Sequence, residues 1–299
     1  MNTIEKALQK KREAAARQQG LSKTSYPSQE IADGANGNRH IARPHSSFIE
    51  IDMAKLELAG MLTPESGRSR IAEEMRAIKR PLLRNAFDRR GHQIEHGNLI
   101  MVTSAVPGEG KSFNSINLAI SIAMELDKTV MLVDADVAKP SIANYLGFNA
   151  EKGLVDYLLD KSLKLSDVLL KTNIPELSIL PAGKQHSHAT EVLAGDAMYA
   201  LTQELSERYP DRVIIFDSPP LLATSESRVL AGLMGQILIV VESVKTTEAM
   251  IREAISHLNT EQQVVSLLLN KIRGKGSGAF YGAYGYGTYA ADKGDSDKK

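Results

Sequence analysis

A chain of 299 residues can bury one substantial core, and its 36 basic and 36 acidic residues cancel, so no overall charge argues for a nucleic-acid or strongly anionic partner. It contains no cysteine, which excludes disulfides, thiolate nucleophiles, iron–sulfur clusters and cysteine-ligated zinc. Apolar runs such as Ile237 to Val241 and Val213 to Phe216 are far below the ~20 residues that span a bilayer, so any membrane link is expected through a partner.

In chain order, Ile4, Leu8 and the Ala14 to Ala16 run predict a short basic helix over residues 1–20, with Asn2 and Glu5 near its start and Gly20 at its end. It lacks the apolar centre and cleavage site of a secretory signal, so no export is implied. Residues 21–65 read as a flexible linker, because the Ser, Gly, Asn and Gln mixed from Leu21 to His45 cannot offset their ordering entropy. The folded domain is expected over 66–272. There Ile71, Met75, Ile78 and Leu82 fall on one face of a helix running up to or across Pro81. Glu73, Arg76 and Lys79 recur at three-residue steps as a separate charged stripe. It is either a set of solvated pairs worth about a few tenths of a kcal/mol or a repeated contact between subunits. His92, Glu95 and His96 fit an inverted zinc-protease spacing, but Gly91 and Gly97 bracket them, so a loop joining helix to sheet is the expected structure. His186 and His188 likewise read as solvated loop residues.

The core alternates regularly. Leu99 to Ser104 predicts a strand, Lys111 to Leu126 a helix and Thr129 to Asp134 a second strand. Further strands are expected at Leu177 to Leu180, Arg212 to Asp217, Gln236 to Glu242 and Val264 to Asn270. Helical patterns lie between them around Ala189 to Arg208, Glu226 to Leu233 and Thr247 to Leu258. This order implies an α/β fold of three layers, a mostly parallel central sheet flanked by helices.

Between the first strand and its helix lies Ala105 to Ser112, a phosphate-loop pattern with Ala at its first position. Pro107, Gly108, Glu109, Gly110, Lys111 and Ser112, with Phe113 directly after them, form the expected nucleotide site. Gly108 and Gly110 let backbone N–H groups face phosphate oxygens at a helix N-terminus, Lys111 would reach the outer phosphates, and Ser112 would ligate Mg²⁺. Two strands end in acids where such a sheet places its ligand crevice, giving Asp134, Asp136 and Asp217. A single acid there could merely cap the next element. Three near one phosphate loop point to phosphoryl transfer, in which Lys111 and the acids position groups and neutralise charge. Asp134 reads as the base, and Asp136 and Asp217 as holding Mg²⁺ directly or through water, although the roles can be exchanged among the three.

Residues 273–299 change character to Gly and Ala with Tyr281, Tyr284, Tyr286 and Tyr289, four of the nine tyrosines of the chain within nine residues. No core can form from them. A sticky tail or stacking on single-stranded nucleic acid would account for the bias, but the absence of a basic excess argues against nucleic acid. A tyrosine phenol has a pKa near ~10, so its attack at neutral pH benefits from a carboxylate that accepts the proton.

The loop Pro107 to Ser112, the segment Val133 to Asp136, the segment Ile214 to Pro220 and the tyrosine-rich tail together resemble the bacterial tyrosine kinases of polysaccharide assembly, the BY-kinases, from about Arg70 to the C-terminus. The resemblance implies ATP and Mg²⁺ as cofactors and autophosphorylation of Tyr281, Tyr284, Tyr286 and Tyr289 between subunits of a ring-like homo-oligomer. It further implies release on phosphorylation and control of exopolysaccharide synthesis and export. Glu73, Arg76 and Lys79 then match the family's subunit-contact motif, with Lys replacing its last Arg and its forked contact. Ala138 stands where relatives often carry Arg, with Lys139 beside it. Asn270, with Lys271, resembles the base-contacting segment, although a plain polar strand end is an equal reading. The basic N-terminus ahead of a linker is similar to free-standing kinases of exosortase-linked systems. Such a protein is cytoplasmic and recruited to the inner membrane by the cytosolic segment of a polysaccharide co-polymerase, with a tyrosine phosphatase as a further partner. The alternative is a partitioning-type switch ATPase without kinase activity, but Val106 stands where those proteins place a signature lysine.

Overall fold

The computed structural model describes residues 47–272 apart from 68, 88–93 and 210. The helix expected over 1–20, residues 21–46 of the expected linker, His92 and the whole of 273–299 lie outside the described residues.

In chain order the elements are β1 (Phe48–Ile49), α1 (Met53–Leu58), α2 (Arg70–Phe87), β2 (Leu99–Ser104), α3 (Lys111–Ala123), β3 (Thr129–Asp134), α4 (Ile142–Leu146), α5 (Leu154–Leu159) and α6 (Leu165–Val168). Then follow β4 (Leu170–Thr172), β5 (Leu177–Leu180), α7 (Ala189–Leu193), α8 (Asp196–Arg208), β6 (Arg212–Asp217), α9 (Glu226–Ala231), β7 (Gln236–Glu242), α10 (Glu248–Ser256) and β8 (Val264–Asn270). The strands form one sheet in the order β1-β4-β5-β3-β6-β2-β7-β8, parallel throughout except where β4 meets β5.

The central strands are apolar along their length because helices cover both faces. Leu99, Met101, Met131, Ile214 and Phe216 face one layer, with Met198, Leu201 and Leu205 of α8 and Leu230 of α9. Ile100, Val102, Leu132 and Ile215 face the other, with Leu82 of α2, Ile116 and Ile120 of α3, and Ile142 of α4. Each such buried side chain contributes about 1.5–3 kcal/mol. This is the expected three-layer α/β architecture of a phosphate-loop protein.

The folded unit starts earlier than residue 66. β1 pairs with β4, Phe48 opposite Lys171 and Ile49 opposite Thr172, and Ile51, Leu56, Met61 and Leu62 are buried. The Asn173 side chain accepts the Ile51 N–H at 2.9 Å and donates to the Ile51 carbonyl at 3.0 Å. A two-residue strand and a six-residue helix show too little periodicity to be read, so these buried residues had no visible pattern. α2 runs through Pro81, because Leu82 beyond it is buried against the core and this packing outweighs the lost hydrogen bond. The helical pattern from Ala189 to Arg208 divides at Gly195, which caps α8 in an extended conformation. Ile94 to Gly97 form the expected turn, closed by the Gly97 N–H to the Ile94 carbonyl at 3.0 Å.

Candidate active site

The loop between β2 and α3 takes its shape from two glycines. Gly108 (φ 89°) and Gly110 (φ 100°) are left-handed, and a Cβ at Gly110 would also collide with the Asn270 side chain. Gly110 caps α3, a helix of thirteen residues, whose first N–H groups have no partner within the helix. Glu109 between them is fully buried: one oxygen accepts the Val106 N–H at 2.8 Å, the other the Glu242 N–H at 3.1 Å and the Thr246 hydroxyl. Its side chain therefore braces the loop from behind, leaving only its backbone for a phosphate.

Lys111 is buried with its ammonium 3.4 Å from Asp136 Oδ2. Ser112, one residue on, accepts a hydrogen bond from the Ser141 hydroxyl at 2.6 Å. β3 and β6 run side by side with Asp134 opposite Asp217, so both acids arrive at the same sheet end as the loop. Asp217 Oδ1 accepts from the Ser115 hydroxyl at 3.1 Å, whereas its Oδ2 is buried without a partner. Asp134 Oδ2 accepts the Ser141 and Ile142 N–H groups, each at 3.1 Å, and so caps the next element, while Oδ1 is buried and unpartnered. Capping and a free buried oxygen thus occur in one carboxyl group. Burial, reinforced by the charge of Asp217, pushes the Asp134 carboxyl up to about 8. Burial pushes Asp217 up to about 6, against the Ser112 hydroxyl, Lys111 and Ser115, which favour its ionised form.

Two orphaned carboxylate oxygens are what a hard cation would satisfy. Among the described residues no three acidic or histidine side chains gather closely enough to cage a metal. A hydroxyl and one or two carboxylates, completed by phosphate oxygens and water, is the donor set Mg²⁺ accepts, so Ser112 and Asp217 fit that ion through the unpartnered Asp217 Oδ2, while Asp136, whose oxygens meet Lys111 and the Lys139 N–H, would act through water.

Beside the loop a groove of about 1130 Å³ opens between α2 and β8, and Phe113, Asn114, Ile78, Leu268 and Asn270 are among its lining. Phe113 and Asn270, named separately from sequence, meet there. The Asn270 amide donates to the Glu109 carbonyl at 2.8 Å. Pro107, Ala138 and Lys139 are exposed, and the Lys139 N–H turns back to the Asp136 carbonyl at 3.0 Å. His96 stands elsewhere, with Nδ1 2.9 Å from the Ser206 hydroxyl.

The charged stripe does not hold together. Arg76 pairs with Glu73 and donates to the Gly67 carbonyl at 2.7 Å, on the exposed side of α2. Lys79 is buried, donating to the Ser121 carbonyl at 2.5 Å and pairing with Glu125 at 2.6 Å. Steps of three residues lag the helical turn, so by the third member the stripe has rotated onto the face of Met75 and Leu82. Lys79 is thus an internal strut between α2 and the end of α3. Ser115, Ser141 and Thr246 were missed; only Ser115, one turn beyond Lys111 on α3, had a sequence signal.

A phosphate loop at a helix N-terminus, with acids at two neighbouring strand ends, defines a phosphate-loop nucleotide-binding protein. In keeping with it, the AAA-domain family matches residues 97–270, and the chain belongs to that family. Within this class it belongs to the bacterial tyrosine kinases. It is 31% identical to the tyrosine-protein kinase YwqD of Bacillus subtilis, over 57% of this chain and 71% of that protein. It is 32% identical to the tyrosine-protein kinase ptk of Acinetobacter johnsonii, over 60% of this chain and 24% of that one. The solved kinase domain of the Escherichia coli tyrosine kinase ETK superposes with a TM-score of 0.62 at 26% identity, over 71% of this chain and 80% of that domain. The chain spans 24–35% of the length of several curated relatives, ptk among them.

Proposed function

We propose that the protein is an ATP-dependent protein-tyrosine autokinase whose acceptors are Tyr281, Tyr284, Tyr286 and Tyr289 of a neighbouring copy. The observation that carries the reading is the convergence of Lys111, Ser112, Asp134, Asp136 and Asp217 on one loop, in a chain whose relatives are named tyrosine-protein kinases. The loop N–H groups and Lys111 bind and neutralise the phosphates of ATP, and the groove at Phe113 and Asn270 receives its base. Ser112 and Asp217, with Asp136 through water, would hold Mg²⁺, which when bound would neutralise charge on the transferring phosphoryl group. Asp134 accepts the phenol proton in its ionised form: burial holds its carboxyl near 8 in the metal-free protein, and a cation bound beside it would favour the carboxylate that the step requires. The tyrosine oxygen then bonds to the γ-phosphorus as the bond to the ADP oxygen breaks.

Each phosphate adds about −1.5 to −2 charge, so modified tails are repelled from the acidic site and the homo-oligomer comes apart. The wider setting we propose is exopolysaccharide synthesis and export, with the chain in the cytoplasm, recruited through the cytosolic segment of a membrane polysaccharide co-polymerase and reset by a tyrosine phosphatase. No helix among the described residues is long and apolar enough to cross a membrane. The exosortase-linked, free-standing type rests on the basic N-terminus alone.

Intact mass after incubation with Mg²⁺ and ATP is the test. The expected result is a ladder of phosphate additions mapping to the four tail tyrosines, absent in Lys111→Met, with a smaller light-scattering mass afterwards. Equal addition in Lys111→Met, or modification of Ser and Thr alone, refutes the kinase reading; an unchanged light-scattering mass refutes release only.

A further inference from the structure

β8 ends beside the phosphate loop, and the two residues at its end reach back to it. Asn270 donates to the Glu109 carbonyl at 2.8 Å, and the Lys271 ammonium donates to the Gly108 carbonyl at 2.6 Å. A trans peptide points its C=O and its N–H in opposite directions. Holding the Gly108 carbonyl therefore aims the Glu109 N–H away from Lys271, and holding the Glu109 carbonyl aims the Gly110 N–H away from Asn270. These are N–H groups of the kind that a phosphate loop offers to its ligand.

The backbone of Lys271 carries a cost that needs a reason. Its φ of 57° is left-handed, a region that glycine enters freely and a lysine enters only against the crowding of its own Cβ. What the side chain gains there is a defined pair of partners. The ammonium also lies 3.1 Å from Glu242, the register partner of Asn270. The Glu242 N–H in turn is held by the Glu109 carboxylate. The Gly108–Gly110 turn is thereby gripped by the end of β7 through Glu109 and by the end of β8 through Asn270 and Lys271.

We infer that Lys271 is a positioning residue for the nucleotide site, fixing through the Gly108 carbonyl the direction of the Glu109 N–H, one of the loop N–H groups that bind phosphate. This rests on the nucleotide-binding reading of the loop. A lysine that merely ends a strand would be improved by glycine, which keeps the turn and removes the crowding, so Lys271→Gly separates the two roles. The readout is the dissociation constant of a fluorescent ATP analogue with Mg²⁺ on the full chain, alongside the urea midpoint of the nucleotide-free protein. Losing one charged hydrogen bond to the loop should weaken binding about tenfold. The midpoint should not fall, and Lys245→Ala, which removes the other lysine beside Glu242, should bind as wild type. Wild-type affinity in Lys271→Gly overturns the inference alone, as does a loss of affinity matched by a loss of midpoint. A wild-type chain that binds the analogue no better than Lys111→Met overturns the nucleotide reading and the inference with it.

Discussion

Asp134 shows how one carboxyl group can answer two demands. One oxygen caps the segment at Ser141 and Ile142, and the other is buried with no partner. Its pKa, and that of Asp217, are raised above the unfolded value near ~3.9, so the metal-free fold binds more protons than the unfolded chain. The stability contributed by these protonated groups is full below that value and is lost as pH rises through about 6 for Asp217 and about 8 for Asp134. In EDTA the urea midpoint should therefore fall between pH 5 and pH 8, on the order of a few kcal/mol of stability if other groups stay silent. Asp134→Asn keeps an acceptor for the two N–H groups and should flatten the upper part of that fall; a midpoint equally steep in the variant rules out Asp134 as its source.

At the scale of the element, α2 carries the largest correction. The sequence offers Glu73, Arg76 and Lys79 as one charged stripe, yet Lys79 lies under the helix, tied to Ser121 and Glu125 of the α3 end. Its partner Glu125 is partly exposed, so truncation would leave that acid in water and the loss would be mainly one buried charged hydrogen bond with stem packing. Lys79→Ala should cost about 1–2 kcal/mol in urea unfolding and leave the light-scattering mass unchanged. A dissociated oligomer at unaltered stability would instead return Lys79 to the subunit contact. Glu73 and Arg76 remain on the exposed side, where a neighbouring copy could reach them.

For the whole molecule, the boundary of the folded unit is the decisive difference between pattern and packing. Ile51, Leu56, Met61 and Leu62 are each buried to within a few per cent. At about 1.5–3 kcal/mol apiece they rival the roughly 5–15 kcal/mol of a whole domain. A chain begun at Ser47 should unfold cooperatively, whereas one begun at Ser66 should melt far lower or aggregate, as thermal unfolding of the two would show. Equal melting temperatures would mean that the β1–α1 segment is an ornament on a core complete without it.

The sequence by itself determined the central strands, the helix after the phosphate loop, and the meeting of Lys111, Ser112, Asp134, Asp136 and Asp217. Long apolar runs ending in acids, and two glycines just ahead of a lysine and a serine, encode their meaning locally. Tertiary structure alone decided what depends on a distant neighbour. β1 and β4 are too short to show a period and exist through their pairing. The side chain of Glu109 faces β7 instead of the phosphates, and Lys79 turns inward because a helix of fixed pitch carries it there. Lys271 meets Gly108 across 163 positions of chain. A local code records which way the backbone bends and which face is apolar. It holds no record of which partner, far along the chain, a charged side chain will find once the sheet has formed.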